Sequence, residues 1–120
     1  MAQNLSDFKW KNRVILLIDA TQNSEHIQQQ IKIFKRNIKD FEERDLIYFI
    51  VTPHLVFNHT GTKITLNGIE KYVNKDFKGL ILLGKDGGEK LEESFVVSAE
   101  YIFALIDKMP MRQREMNSQN

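Results

Sequence analysis

Three uninterrupted apolar runs punctuate this chain, and together they leave it few ways to fold. Residues 13–19 (RVILLID), 46–52 (LIYFIVT) and 79–84 (GLILLG) show no alternation of apolar with polar residues. A strand with one wet face alternates, whereas a strand covered on both faces reads as a continuous apolar run. The runs therefore predict the centre of a sheet with helices on each side. Between the first two, Ile27, Ile31, Phe34, Ile38 and Phe41 recur at spacings of three and four, which lays one apolar stripe along a helix. Thr21, Asn23 and Ser24 are helix-starting residues, and Glu25 puts a negative charge in the first turn, where it suits the dipole. One helix is predicted over about residues 24–43. Two strands joined through a helix are parallel, with a right-handed crossover. Pro53 stops the second strand.

The remaining segments follow from turn chemistry. Leu55, Val56 and Phe57, and then residues 63–66, flank the polar stretch 58–62 (NHTGT), which reads as a β-hairpin. A short helix over 68–74 follows. Residues 85–88 (KDGG) read as a turn, because Asp-Gly and Gly-Gly supply positive φ at little cost, and residues 89–92 return antiparallel. Ser98 caps a last helix with Ile102, Phe103, Leu105, Ile106 and Met109 on its buried side, and Pro110 ends or restarts it. Residues 1–11 read as an N-terminal arm packing Phe8 and Trp10 onto the core, and 111–120 as a polar, fraying tail. The order β-α-β, a variable crossover, then β-β-α predicts a single domain over 1–120. Its class is α/β: a thioredoxin-like three-layer α/β/α arrangement with a mixed, four- to five-stranded sheet.

Composition narrows function mainly by exclusion. There is no cysteine, which removes disulfides, thiolate zinc sites and peroxidatic or CxxC redox chemistry. Lys and Arg number 17 against 16 Asp and Glu, so no global field recruits nucleic acid or an anionic membrane. No apolar run approaches the ~20 residues that span a bilayer. The chain is polar from Ala2 onward, so no signal peptide is expected within it. No cofactor is expected. His26, His54 and His59, even with Asp19, show no metal-ligand spacing, and no metal is expected.

Residues 5–13 (LSDFKWKNR), 83–91 (LGKDGGEKL) and 103–116 (FALIDKMPMRQREM) resemble the opening, hairpin and C-terminal signatures of a domain-of-unknown-function family, DUF4174. These are the bacterial relatives of the Equarin, SRPUL and coiled-coil-domain-containing matrix proteins. The resemblance implies a thioredoxin-like, peroxiredoxin-related fold. It also implies export in many bacterial members, hence a periplasmic or secreted location with a cytoplasmic alternative, and no established enzyme activity. In thioredoxin-like domains the turn after the first core strand carries the reactive thiol. Here that turn reads Ala20-Thr21-Gln22-Asn23-Ser24. The proline expected before the third core strand is replaced by Asp76-Phe77-Lys78.

Two places are candidates for binding a protein or a small anionic ligand. The first is the pole at Thr21, Asn23 and Ser24, since a helix N-terminus suits anions; the same residues equally read as caps. The second is the C-terminal Arg112 and Arg114, because arginine forks suit carboxylates and phosphates. Arg112 or Glu115 equally reads as pinning the tail to the domain through ion pairs. Leu55, Val56 and Phe57 read as core, or as an exposed edge open to a partner. The leading expectation is a non-catalytic binding module; the alternative is a thiol-independent enzyme using Asp19, Thr21, Ser24 and His26.

Overall fold

A computed structural model describes residues 2–73 and 76–118. The three apolar runs become β2 (Arg13–Ile18), β3 (Leu46–Val51) and β6 (Gly79–Leu83). They lie side by side, with β2 central, parallel to β3 and antiparallel to β6. Around them run β1 (Ala2–Asn4), β4 (Val56–Phe57), β5 (Lys63–Asn67) and β7 (Glu89–Glu93), in the order β1-β5-β4-β3-β2-β6-β7. The sheet thus has seven strands where four to five were expected. The two-residue β4 and the N-terminal β1 account for much of the difference. β1 pairs in parallel with β5, more than sixty positions away, which no local pattern announces.

The period of two along each core strand divides the interior into two cores. Ile15, Leu17, Tyr48, Ile50, Leu80 and Leu82 face α1 (Glu25–Lys35), α2 (Ile38–Glu43) and α4 (Ala99–Asp107), meeting Ile27, Phe34, Phe41, Ile102 and Ile106. Val14, Leu16, Ile18, Phe49, Val51, Ile81 and Leu83 face the other way, onto Ile69 and Tyr72 of the segment around the short α3 (Glu70–Val73) and onto Leu5 and Phe8. The second layer is therefore one helical turn and the N-terminal arm, not a set of long helices. This explains why the runs show no alternation: each face of the sheet has apolar cover.

Three other expectations change. The helix of 24–43 is two helices, α1 and α2, broken at Arg36 and Asn37. Asn37 leaves helical geometry at φ −126°, and its Nδ2 donates to the Ile33 carbonyl at 2.7 Å, so its side chain competes with the helical backbone. Phe8 does pack on Phe49, with ring centroids 5.6 Å apart, but Trp10 is 65% exposed. Its φ of +67° turns the chain there, and its N–H donates to the Lys85 carbonyl. The tail does not fray over 110–118: it forms α5 (Pro110–Ser118), with Pro110 restarting the helix. Asn74, the expected end of the 68–74 helix, and residues 119–120 of the tail lie outside the described residues.

The hairpin and turns stand as read. β4 and β5 are antiparallel across 58–62, where Asn58 Oδ1 accepts from the N–H groups of Thr60 and Thr62 and Gly61 takes φ +84°. Val56 and Phe57 are core, with a neighbouring strand on each side. The outer strand β7 carries Glu89, Lys90, Glu92 and Glu93, charges that discourage pairing at that margin.

Candidate functional site

The pole at the start of α1 is built by the end of β2. Asp19 N–H donates to the Val51 carbonyl at 3.1 Å, holding the chain against β3 as it leaves the sheet. The Asp19 carboxylate then turns onto its own loop: Oδ1 accepts from Ala20 N–H at 2.7 Å and Oδ2 from Ser24 Oγ at 2.6 Å. Ser24 Oγ in turn accepts from Ile27 N–H at 3.1 Å, the N-cap expected of it. Asn23 gives its carbonyl to Gln28 Nε2 at 2.9 Å, and Thr21 is exposed. The pole therefore holds an internal anion, Asp19, whose charge opposes a second one nearby. His26 stacks on Phe95 at 5.8 Å, while the Ser24 hydroxyl donates to the Asp19 carboxylate, so the Ser24–His26 pairing that a serine nucleophile would use is not assembled. The cleft beside this pole, between Asp19, Thr52 and Phe77, holds only about 240 Å³.

The C-terminal arginines lie at the opposite end of β2, about 20 Å away at ~3.3 Å per residue. Arg112 is 1% exposed. Its Nε donates to Asp107 Oδ1 at 3.0 Å, Nη1 to the Glu43 carbonyl at 3.2 Å and Nη2 to Glu43 Oε1 at 3.1 Å. Of the two readings of Arg112, this geometry matches the ion-pair one. The guanidinium is spent inside the protein and presents no edge to a ligand. Arg114 is exposed on the same helix and does not join Arg112.

Three further buried cations, not singled out from the sequence as site residues, complete this network. Arg13 makes a two-pronged pair with Glu115 at 3.2 and 3.1 Å and donates to the Arg44 carbonyl at 2.9 Å. Arg44 pairs with Asp107 at 3.0 and 2.9 Å, donates to the Asp40 carbonyl, and lies 4.4 Å over the Phe103 ring. Lys85 bridges Asp45 and Glu115, both at 2.8 Å. Three arginines thus hydrogen-bond the Asp40, Glu43 and Arg44 carbonyls at the end of α2, where the dipole favours cations. Burial by itself raises the pKa of Asp107 and of Glu115. Hydrogen bonds outweigh it, from Arg44 and Arg112 on the first and from Arg13 and Lys85 on the second, and hold both carboxyls below their ordinary range. Arg13, Arg44, Lys85 and Arg112 face the carboxylates of Asp40, Glu43, Asp45, Asp107 and Glu115, so the cluster is an internal clasp joining α2, α4, α5 and the ends of β2 and β6.

The third place was not foreseen as a unit. Two clefts of about 480 and 400 Å³ lie side by side between α1, α2 and the β4–β5 turn, sharing Lys35, Tyr48 and His59. Their floor is Ile50, Phe57, Phe34, Phe41 and Leu46. Lys32 and Lys35 stand on one rim, His59 and Thr60 on the other, and Asn23 closes one end. Of Thr21, Asn23, Ser24, Arg112 and Arg114, Asn23 is the one that lines this groove, where Phe57 and His59 join it. The histidines stay apart: His26 is on Phe95, His59 is on Tyr48 at 6.4 Å, and His54 is exposed on the turn after β3. Among the described residues, no three His, Asp or Glu side chains converge as metal ligands, and no helix is long and apolar enough to cross a membrane.

Compared with known proteins, residues 4–115 match the family described as "Domain of unknown function (DUF4174)". No curated protein matches the chain. Among solved structures, the fold is similar to that of the reduced 2-Cys peroxiredoxin of Plasmodium vivax, with a TM-score of 0.62 and 15% identity over 92% of this chain and 84% of that one. Likeness at that identity shows a common thioredoxin-like fold and no more.

Proposed function

The chain belongs to the DUF4174 family, and on that premise we propose that it is a non-catalytic binding module on a thioredoxin-like frame. One observation carries the reading. The turn that bears the thiol in thioredoxin-like domains is here closed on itself, with Asp19 held by Ser24 at 2.6 Å and Ser24 capping α1. No cysteine exists to replace that chemistry. A groove along α1 and α2, apolar at its floor and polar at its rims, is open to a partner. Sites of this size and lining, about 300–1,000 Å³, hold small molecules.

We place the protein in the bacterial envelope, periplasmic or secreted. Resemblance to exported members of the family supports this, and fractionation of cells expressing the full native gene product tests it. The binding role is tested by a thermal-shift screen of purified protein against anions, metals, peptides and amphiphiles. A specific ligand stabilises the native state by about 2.7 kcal/mol at a hundredfold excess over its dissociation constant. Turnover of peroxide or of a disulfide by the pure protein would sink the proposal.

A further inference from the structure

The groove carries an asymmetry that names its occupant. At the junction of the two clefts lies Tyr48, nine-tenths buried, whose hydroxyl reaches its nearest protein acceptor, the His59 carbonyl, only at 3.5 Å. That distance is the far limit of a hydrogen bond, and buried phenols ordinarily find a closer partner. Lys32 lines the first cleft, and Lys35, like Tyr48, lines both. The second cleft is mostly apolar, lined by Phe34, Phe41, Leu46 and Ile47 beside Lys35, Glu42 and His59, and Ile38 lies 54% exposed along it. Glu42 is the acid in that lining and would repel a negative head placed there.

We infer that the groove binds a single-chain apolar carboxylate, its head on Lys32, Lys35 and the Tyr48 hydroxyl and its tail over Phe41, Leu46 and Ile38. This rests on the binding-module reading and supplies its ligand class. Two lysines and a phenol donor complement one carboxylate. The apolar cleft beyond them removes a hydrocarbon tail from water, and covering Ile38 removes one of the large apolar side chains left exposed on this surface. Burial raises the Tyr48 pKa, so the phenol keeps its proton and remains a donor. An extended peptide is the less suitable occupant. The strands under the groove, β3 and β4, have a neighbour on each side, so there is no open edge for it to join.

The test is calorimetric titration with dodecanoate below its micellar concentration, followed by amide NMR shifts. Dodecanoate should bind one to one and shift the Ile38 and Leu46 amides. Tyr48→Phe, which keeps the ring packing, should weaken binding about tenfold, as should Lys32→Ala with Lys35→Ala, each removing a hydrogen bond or charge contact to the head. Ile38→Asp, at an exposed position, should abolish it. Dodecanol should bind the unaltered protein at least tenfold more weakly. No binding of dodecanoate, equal binding of dodecanol, or indifference to these variants would overturn the inference. So would an acidic amphipathic peptide that displaces dodecanoate and binds more tightly. Failure of dodecanoate to bind, together with a different ligand that stabilises the protein without moving the Ile38 and Leu46 amides, would overturn the groove and spare the binding-module reading. Peroxide turnover with dodecanoate still bound would do the reverse.

Discussion

Replacing Arg112 by alanine separates the clasp from a ligand site. The side chain is 1% exposed and makes three hydrogen bonds between 3.0 and 3.2 Å, two to carboxylates and one to the Glu43 carbonyl. Removing one member of a fully buried ion pair costs about 3–5 kcal/mol, because the abandoned charge stays dry. Here the abandoned acids are partly wet, with Asp107 34% and Glu43 48% exposed, and Asp107 keeps its two-pronged contact with Arg44. Water can restore much of their solvation, so the expected loss is lower, about 2–3 kcal/mol. For a chain of this length that lowers Tm by roughly 10 °C. Arg114→Ala, at an exposed position on the same helix, should stay within about 0.5 kcal/mol. Urea unfolding at neutral pH, with the m-value unchanged, reads both. An Arg112→Ala loss no larger than that of Arg114→Ala would refute the clasp. Loss of ligand binding at full stability would return Arg112 to the list of binding residues.

Two further outcomes are expected. Ser24→Ala should cost about 1 kcal/mol through loss of the cap at Ile27 N–H, and should leave binding in the groove unchanged, which calorimetry on the folded variant would check. Stability should also fall in acid. The pKa values of Asp107 and Glu115 are held below their ordinary range in the folded state, so their contribution is complete above the unfolded values of about 3.9–4.3 and is lost as pH drops through the folded ones. Urea midpoints measured from neutral pH down to pH 3 should therefore fall, and should fall less for Asp107→Asn, which has already lost its share at pH 7.

What could be read from the chain alone was whatever is decided within about ten residues. The buried strands show as apolar runs because both faces are covered. Ser24 and Ser98 cap their helices because the acceptor oxygen and the donor N–H are three residues apart. The 84–88 and 58–62 turns follow from their Gly, Asp and Asn residues, whose backbones and side chains close such turns locally. Asn37 is a local signal misread, since its competing bond to Ile33 is only four residues away, and so is Pro110, which starts α5 where a fraying tail was expected.

Tertiary structure alone decided the rest. Arg112 looks like any charged tail residue until Glu43, sixty-nine positions earlier, is folded against it. Arg13 and Glu115 are likewise partners across 102 positions. The groove belongs to α1, α2, β3 and the β4–β5 turn together, and Tyr48 reads as ordinary core in the sequence. A strand or a cap is a property of backbone geometry and near neighbours, which local composition encodes. Whether a charge is a clasp or a ligand site depends on which distant groups reach it and how much water they exclude, and only the packed chain sets those.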